Sequence, residues 1–392
     1  MSDLIQSYKC AVGKLLSLAR NVPDPRKRRG VRHKLDIVLT IFVLALLCDQ
    51  NDFVRVEDWA KSEFETLKQI MPLPHGIPSH DTFMRVIGAL PVESVESLFV
   101  SWICECCPEC SSHLAIDGKT VNGTLRTTDW ESEFKEAQKN RVHVVSVFDC
   151  NAFQVVRQQI MPDKGGELHS AMDMLAGLDL HGKMVTGDAG FCNAVLSSQI
   201  AQQGGDFCFE VKDNQRLLKQ SLISEFDRAT PEILTTFVDD KGGHGRIERR
   251  EYRVLSSELP YYLHQSWAYI RCLIEVQSYQ KQKSTGKETT HTRYYVSNKP
   301  MTAQEASETV RGHWHIEAGL HAVLDGTFNE DVCKSRQKRH AQNLVVFRHL
   351  VFGILRKHED KKHMTVSMKR THCRNDLKYR VDVLEQAFER AI

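Results

Sequence analysis

The sequence predicts an α/β protein with an all-helical N-terminal region, and three observations carry that expectation. Residues 1–103 read as helical, with apolar side chains at helical spacing. The texture changes at residue 113, where short apolar runs of strand length begin. From there the elements follow in the order strand, strand, strand, helix, strand, helix, strand.

In the helical region, residues 37–48 (IVLTIFVLALLC) form the most apolar run. As a helix it rises only about 18 Å, too short for a bilayer that needs ~20 residues, so a buried core helix is predicted. It also lies too far from the N-terminus for a signal peptide and lacks a small-residue cleavage site. Residues 54–70 are amphipathic and predict a second helix. Pro72, Pro74, Gly76 and Pro78 break the pattern. Ser79 or Asp81 is placed to cap a third helix ending near residue 90, and 92–104 continue after Pro91. Arg85 on that third helix suggests a DNA-reading role.

Residues 113–117 predict a short strand ending in an acid, and 142–149 and 152–160 predict two more, joined by a turn at Cys150 and Asn151. A helix over 166–178, a strand over 183–187 running into Asp188, a helix over 193–203 and a strand over 207–212 follow. This is the order of the ribonuclease-H-like fold, in which the first strand is central and the fourth lies beside it. Acids at the ends of those two strands meet at one edge, and Asp117 and Asp188 occupy these places. Residues 213–300 are less regular, with β-like pieces at 249–255, 268–277 and 292–297 and a hairpin loop at 281–288. A long, regular helix is predicted over 302–324, with Glu317 on it.

Twelve cysteines are mostly scattered, as in a reduced intracellular protein. Cys104, Cys106, Cys107 and Cys110 cluster within seven residues, too close for the separated arms of a zinc site. A structural role is favoured there, with metal binding left open. Net charge is only +2, but residues 332–380 hold 14 Lys and Arg against 3 Asp and Glu. That segment is therefore +11 and the remainder −9. A second basic block runs from Arg20 to Lys34 and includes Arg26, Lys27, Arg28 and Arg29. Two such blocks flanking an otherwise acidic chain predict polyanion contact over plain solvated helix faces.

Phosphodiester cleavage needs an activated water and neutralised charge on the leaving oxygen, which two divalent ions about 3.5–4 Å apart supply. Mg²⁺ prefers carboxylate and water oxygens, and three acids from two strands and a helix provide them. His313, Glu317 and His321 are spaced i, i+4, i+8 and share a helix face, beside an apolar stripe of Ile316, Leu320 and Val323. A zinc hydrolase would want its two histidines one turn apart; here they are two turns apart.

These residues resemble the insertion-sequence DDE transposases of the ISAs group, which include the H-repeat-associated proteins of Rhs elements. The resemblance covers most of the chain. It rests on Asp24-Pro25-Arg26, the run from Pro78 to Phe83 with Arg85, Ile116-Asp117-Gly118-Lys119-Thr120 and Thr186-Gly187-Asp188-Ala189. Further matches are Val211-Lys212-Asp213-Asn214-Gln215 and His244-Gly245-Arg246-Ile247-Glu248. The most specific is His313-Trp314-His315-Ile316-Glu317 with Leu320-His321, Leu324-Asp325 and Phe328-Asn329-Glu330-Asp331. The chain departs from the family's usual pattern at Ala318, at Gly190-Phe191-Cys192-Asn193 and at Gly165-Gly166 before Glu167.

The resemblance implies a ribonuclease-H-like catalytic core with a β-rich insertion before the last acid. Boundaries follow: a helical transposase-associated domain over 1–110 that is expected to bind DNA, a catalytic domain over 111–356 with its insertion at about 213–300, and a basic tail over 357–392. It implies metal-dependent cleavage of element ends and joining of the 3′-OH to target DNA. Asp117, Asp188 and Glu317 are expected to be catalytic and to hold two Mg²⁺ (Mn²⁺ as substitute). Lys119, His313, His321, Arg336, Lys338 and Arg339 are expected to contact DNA, and the tail to neutralise phosphates. Asp325 is expected to cap the helix or pair with a residue such as Arg336, and Glu330 and Asp331 to lie in looser backbone beyond it. The expected partners are terminal inverted repeats and target DNA, with a homodimer assembled on DNA, no membrane, and a bacterial cytoplasmic, nucleoid-associated location. The alternatives are a decayed or host-adopted DNA-binding protein, and a Mg²⁺ nuclease that cuts without joining.

Overall fold

The computed structural model describes residues 2–27, 29, 31–107, 110–122, 141–161, 164–243, 246–256, 259–333, 337–360 and 363–389. The N-terminal helices are α1 (Ser2–Arg20), α2 (Leu35–Leu47), α3 (Phe53–Ser62), α4 (Phe64–Ile70), α5 (His80–Ala89) and α6 (Val92–Cys106). Nearly every residue of α2 is buried, as its all-round apolar sequence requires. The expected helix over 54–70 is broken between α3 and α4. Ser79 caps α5 by accepting a hydrogen bond from Thr82 N.

Nine strands form one sheet in the order β3-β2-β1-β4-β5-β9-β8-β7-β6. They are β1 (His113–Val121), β2 (Val142–Asp149), β3 (Gln154–Met161), β4 (Met184–Gly187), β5 (Asp206–Val211), β6 (Leu234–Gly243), β7 (Arg246–Leu255), β8 (Cys272–Gln282) and β9 (Glu288–Ser297). β1 pairs antiparallel with β2 and parallel with β4, and β4 parallel with β5. The region expected to be a β-rich insertion continues this sheet, because β9 pairs antiparallel with β5. It also contains a helix and a strand not foreseen from sequence, α9 (Arg216–Arg228) and β6. Helices α7 (Glu167–Ala176) and α8 (Ala194–Gln202) precede α9, and the four-residue α10 (Tyr261–His264) follows it.

The sheet's two faces have different partners. Leu114 and Ile116 of β1 point into a core shared with α7, α8 and α9, whereas Ala115 points into the core of the helical body. The helix carrying Glu317 packs on that second face. It runs as α11 (Ala303–Ile316), a π-helical turn (Glu317–His321) and α12 (Ala322–Phe328). The expectation of one regular helix is thus corrected. α11 opens on a capping box between Thr302 and Glu305.

The expected basic tail is helical over most of its described residues. Helices α13 (Lys338–Lys357), α14 (Val366–Asn375) and α15 (Leu377–Ala387) bury Val366, Cys373, Val381 and Leu384 in the same core as α1 and α2. Several of the segment's cations are buried as well. Arg370 donates to Leu46 O, Thr327 O and Asn51 Oδ1 and pairs with Asp49 at 3.0 Å. Burial lowers its pKa only to about 10, so it stays charged at neutral pH. Arg380 pairs with Glu63 at 2.9 Å, and Lys369 with Asp360 at 3.1 Å. Among the described residues no single helix is long and apolar enough to cross a membrane.

Cutting the chain after Lys357 is therefore expected to destabilise the helical body as a whole. The single change Arg370→Ala removes a buried charged donor from Leu46 O, Thr327 O and Asn51 Oδ1 and the ion pair from Asp49, and should cost roughly 3 kcal/mol, read as a lower urea midpoint. A midpoint within error of the parent would show that these ties are not structural.

Candidate active site

Asp117 lies in the middle of β1, not at its end as expected. The strand continues because the polar residues after it are partnered. Lys119 turns to the helical face, and Thr120 Oγ1 bonds His143 Nδ1 at 2.9 Å on the other. Ile116 stands opposite Gly187 in the parallel β1–β4 pair. The next residues, Asp117 and Asp188, therefore emerge side by side on strands about 4.8 Å apart. Helix α11 crosses these strands and brings Glu317 to the same edge.

The electrostatics register this convergence. Burial pushes Asp117 up to about 7, reinforced by the charges of Asp188, Glu317 and Glu167 and opposed by the hydrogen bond from Gly118 N. Glu317 is raised too, by its partial enclosure and by Asp188, while Arg293 and Lys212 pull it down. Three oxygen-donor side chains crowded without an internal cation between them suit a hard divalent ion. Among the described residues, no group of three or more acidic, histidine or cysteine side chains is placed so that it could hold a metal ion as it stands.

The loop behind Asp188 is clamped. Asp188 Oδ1 accepts from Gly190 N at 2.9 Å, and Asn193 caps α8. Asn214 Nδ2 donates to Ala189 O at 2.7 Å, and Gln215 Nε2 to Cys192 O at 3.0 Å. These bonds give the Asn-Gln pair after Lys212 a physical role: it fixes the turn that presents the second acid.

The histidines sit behind the acids. His313 Nδ1 and His113 Nε2 both meet Thr186 Oγ1, at 3.2 and 3.0 Å. His321 Nδ1 lies 3.4 Å from Asp117 Oδ2. Burial lowers His113 and His313 to about 4, and burial with the nearby Lys119 charge lowers His321 to about 3. All three are neutral at neutral pH, so His313 and His321 are placed as inner supports rather than charged phosphate contacts.

Lys119 departs furthest from expectation. It is 7% exposed, and its ammonium binds Asp325 Oδ1, lies 3.5 Å from Glu330 Oε2 and donates to His321 O at 3.3 Å. It faces inward, away from any surface phosphate. Asp325 thus pairs with Lys119; Arg336, its other expected partner, lies outside the described residues. Glu330, expected in loose backbone, is fully buried, with Arg348 Nη1 at 3.9 Å from its Oε1. Its backbone N–H donates to Leu324 O at 3.1 Å. Lys338 and Arg339 are exposed at the start of α13.

The π turn is tied at two carbonyls. Lys119 holds His321 O, and Arg356 Nη2 donates to Gly319 O at 3.1 Å. Gly319 is packed so closely that an added Cβ would sit 2.8 Å from Phe153. Phe153 itself occupies the left-handed region at φ 53°, in the turn before β3 rather than in the strand expected there. Sequence reading also missed Glu210, which pairs with Lys212 at 3.0 Å and Arg293 at 3.8 Å beside Glu317. At the cysteine cluster, burial pushes Cys107 up to about 11 and also raises Cys110, which favours thiols over metal-binding thiolates.

The raised Asp117 pKa predicts that ion binding here is coupled to loss of a proton. Asp117 is protonated below about 7 and must lose that proton to ligate. Mn²⁺ affinity should fall as pH drops below this value, approaching about tenfold per pH unit for one coupled proton. Calorimetry in two buffers of different ionisation enthalpy would show the released proton. Affinity independent of pH between 5.5 and 8, taken as about that span, would contradict the carboxyl assignment.

Comparisons with known proteins bear on the whole chain. The transposase DDE domain family matches residues 108–353, and the DDE_Tnp_1-associated family matches 17–103. The H repeat-associated protein YhhI of Escherichia coli K12, a transposase by assignment, is 30% identical over 87% of this chain and 90% of its own length. YncI of Escherichia coli O157:H7, likewise assigned as a transposase, is 29% identical over 90% of each chain. A piggyBac transposase synaptic complex with hairpin DNA aligns at a TM-score of 0.48 and 13% identity, covering 99% of this chain and 79% of that one. With the DDE domain matched over most of its length, the chain belongs to the DDE transposase family.

Proposed function

We propose that the protein is a metal-dependent DNA transposase that cleaves the ends of its element and joins the freed 3′-OH to target DNA. The observation that carries this reading is the convergence of Asp117, Asp188 and Glu317 from two adjacent parallel strands and a packed helix. The strand order and directions around β1 support a ribonuclease-H-like core, extended at one edge by β6–β9. Residues 1–110 form its helical associated part.

Asp117, Asp188 and Glu317 would hold two Mg²⁺ or Mn²⁺ ions, which supply an activated nucleophile and neutralise the leaving oxygen. In the first step the water oxygen forms a bond to phosphorus and the P–O3′ bond breaks, leaving a 3′-OH and a 5′-phosphate. In the second, that 3′ oxygen attacks a target phosphorus and displaces the target's own 3′ oxygen. The chain's part is positional. The β1–β4 register sets the spacing of the two aspartates, and Asn214 and Gln215 hold the turn after Asp188. The π turn, fastened by Lys119 and Arg356, aims Glu317. The neutral imidazole of His321 supports Asp117 without adding a competing positive charge. Terminal inverted repeats, target DNA and a homodimer assembled on them are the partners this chemistry calls for.

Asp117→Asn, Asp188→Asn and Glu317→Gln should each abolish Mg²⁺-dependent strand cleavage of element-end DNA while the protein stays folded and bound. Cleavage and joining are read on denaturing gels, so a nuclease that never joins is told apart in the same assay. Glu330→Gln belongs to a different class. It leaves Lys119 and Arg348 short of a counter-charge and should lower stability by roughly 3 kcal/mol, yet retain cleavage per folded molecule. If Glu330→Gln is fully folded and inactive while Glu317→Gln still cuts, the third acid is misassigned.

A further inference from the structure

A second charged site lies in the N-terminal helices, made only of residues from 26–33 and 75–89. Its 780 Å³ cavity is lined on one side by the loop between α1 and α2 and on the other by α5. Thr82, Arg85, Val86 and Ala89 line it from one face of α5, at the i, i+3, i+4, i+7 spacing of a helix stripe. Ser79, which caps that helix, stands at its rim, so the positive end of the helix dipole opens into the cavity.

The loop is built to hold its shape. Arg26 grips Asp24 with two 2.8 Å bonds and donates from Nη2 to His33 O at 3.0 Å, tying Asp24 to His33. Its charge is thereby compensated. Lys27, Arg29, Arg32 and Arg85 also line the cavity and are exposed. Among the described residues, none of the four forms an ion pair with a carboxylate, and no acidic side chain lines the cavity. His33 and His75 meet edge to face at 6.2 Å within it. Burial lowers the His33 pKa, and the positive fields of His75, Arg26 and Arg32 lower it further. The site thus holds concentrated positive charge on a fixed frame.

We propose that this cavity binds the phosphodiester backbone of duplex DNA, as an anchoring site separate from the three acids. The proposal rests on the reading of the protein as DNA-acting, and it assigns the anchoring charge to this loop and α5 rather than to the C-terminal helices. Side chains that reach phosphates from a loop and a helix stripe fix position without reading bases. The lining cations come from a loop and from one helix stripe around a single cavity, an arrangement that suits successive phosphate oxygens. The same α5 packs on α13, where an added Cβ on Gly88 would collide with His340. The cavity is in this way tied through one helix to the start of α13, which presents Lys338 and Arg339.

The test uses the full chain and a fluorescein-labelled duplex of about 30 base pairs of mixed sequence, followed by anisotropy from about 50 to 200 mM salt. In the variant Lys27→Gln/Arg29→Gln/Arg32→Gln the log–log salt slope should flatten by about 2 to 3, at about 0.9 for each phosphate no longer neutralised. Arg85→Gln alone should flatten it by about 1. All four residues are exposed, so the parental melting temperature should be kept. An unchanged slope in the triple variant overturns the proposal, as does weaker binding with the slope intact. Asp117→Asn should keep the parental slope in the same assay. Loss of cleavage in Asp117→Asn with an unchanged slope in the triple variant would sink the anchoring site alone. A flattened slope in the triple variant with cleavage retained by Asp117→Asn would sink the catalytic assignment alone.

Discussion

The buried ammonium of Lys119 is the constraint on which the site depends. Lys119 follows Asp117 by two positions on β1, so the strand's period of two puts both on one face. Its charge is withdrawn from water, a cost of several kcal/mol that only close partners offset. Those partners are Asp325, Glu330 and the carbonyl of His321, all from the segment that carries Glu317. Any slide of the helix against the strand breaks this cluster. Glu330 extends it to Arg348 on α13, which runs through the centre of the helical body. Sheet, acid-bearing helix and helical body are thus fixed against each other at one ionic point, and the spacing of Asp117 and Glu317 follows from it.

This explains why the basic C-terminal third is a poor guide to surface potential. Arg348, Lys369, Arg370 and Arg380 are all buried. Each is spent on a carbonyl or a carboxylate from another part of the chain. A buried guanidinium can satisfy several scattered acceptors at once, and Arg370 does so across Leu46, Asn51 and Thr327. The charge excess of residues 332–380 is in good part an internal fastening system. Among the described residues, the exposed cations gathered around one cavity without a carboxylate are those of the N-terminal loop and α5.

The sheet was legible because its strands are apolar and short. β2 falls on 142–149 as expected, β4 starts one residue later than expected, and β5 is shifted by one residue. The convergence of the three acids was also legible, since it needs only strand order and one helix. The continuation of β1 beyond Asp117 was hidden, because Gly118, Lys119 and Thr120 look like a polar strand end. Only the tertiary partners Asp325 and His143 make them interior. The π turn has no period of its own in sequence. It exists because Gly319 admits Phe153 and because two cations take the carbonyls it frees. Helix α9 was obscured by its charged face, although Leu218, Leu222 and Phe226 keep a helical spacing. The role of Lys119 was misread for the same reason as β1: a lysine beside an acid reads as a surface contact until its burial is known.

The same burial that organises the site also sets its charge state. An aspartate and a histidine 3.4 Å apart ordinarily share a proton as an ion pair, yet here Asp117 is raised to about 7 and His321 lowered to about 3. Burial penalises both charged forms, and the Lys119 charge further disfavours an imidazolium at His321. The lysine cannot serve the acids itself, since Asp325 and Glu330 already engage it. Carboxyl groups are therefore gathered at the edge where Asp117, Asp188 and Glu317 meet, with the histidine layer behind them neutral. Lys212 and Arg293 approach Glu317 but are partly claimed by Glu210. An external cation with a preference for oxygen ligands is what such an arrangement draws in. The buried lysine that holds the geometry thus also keeps the adjacent histidine from filling that place.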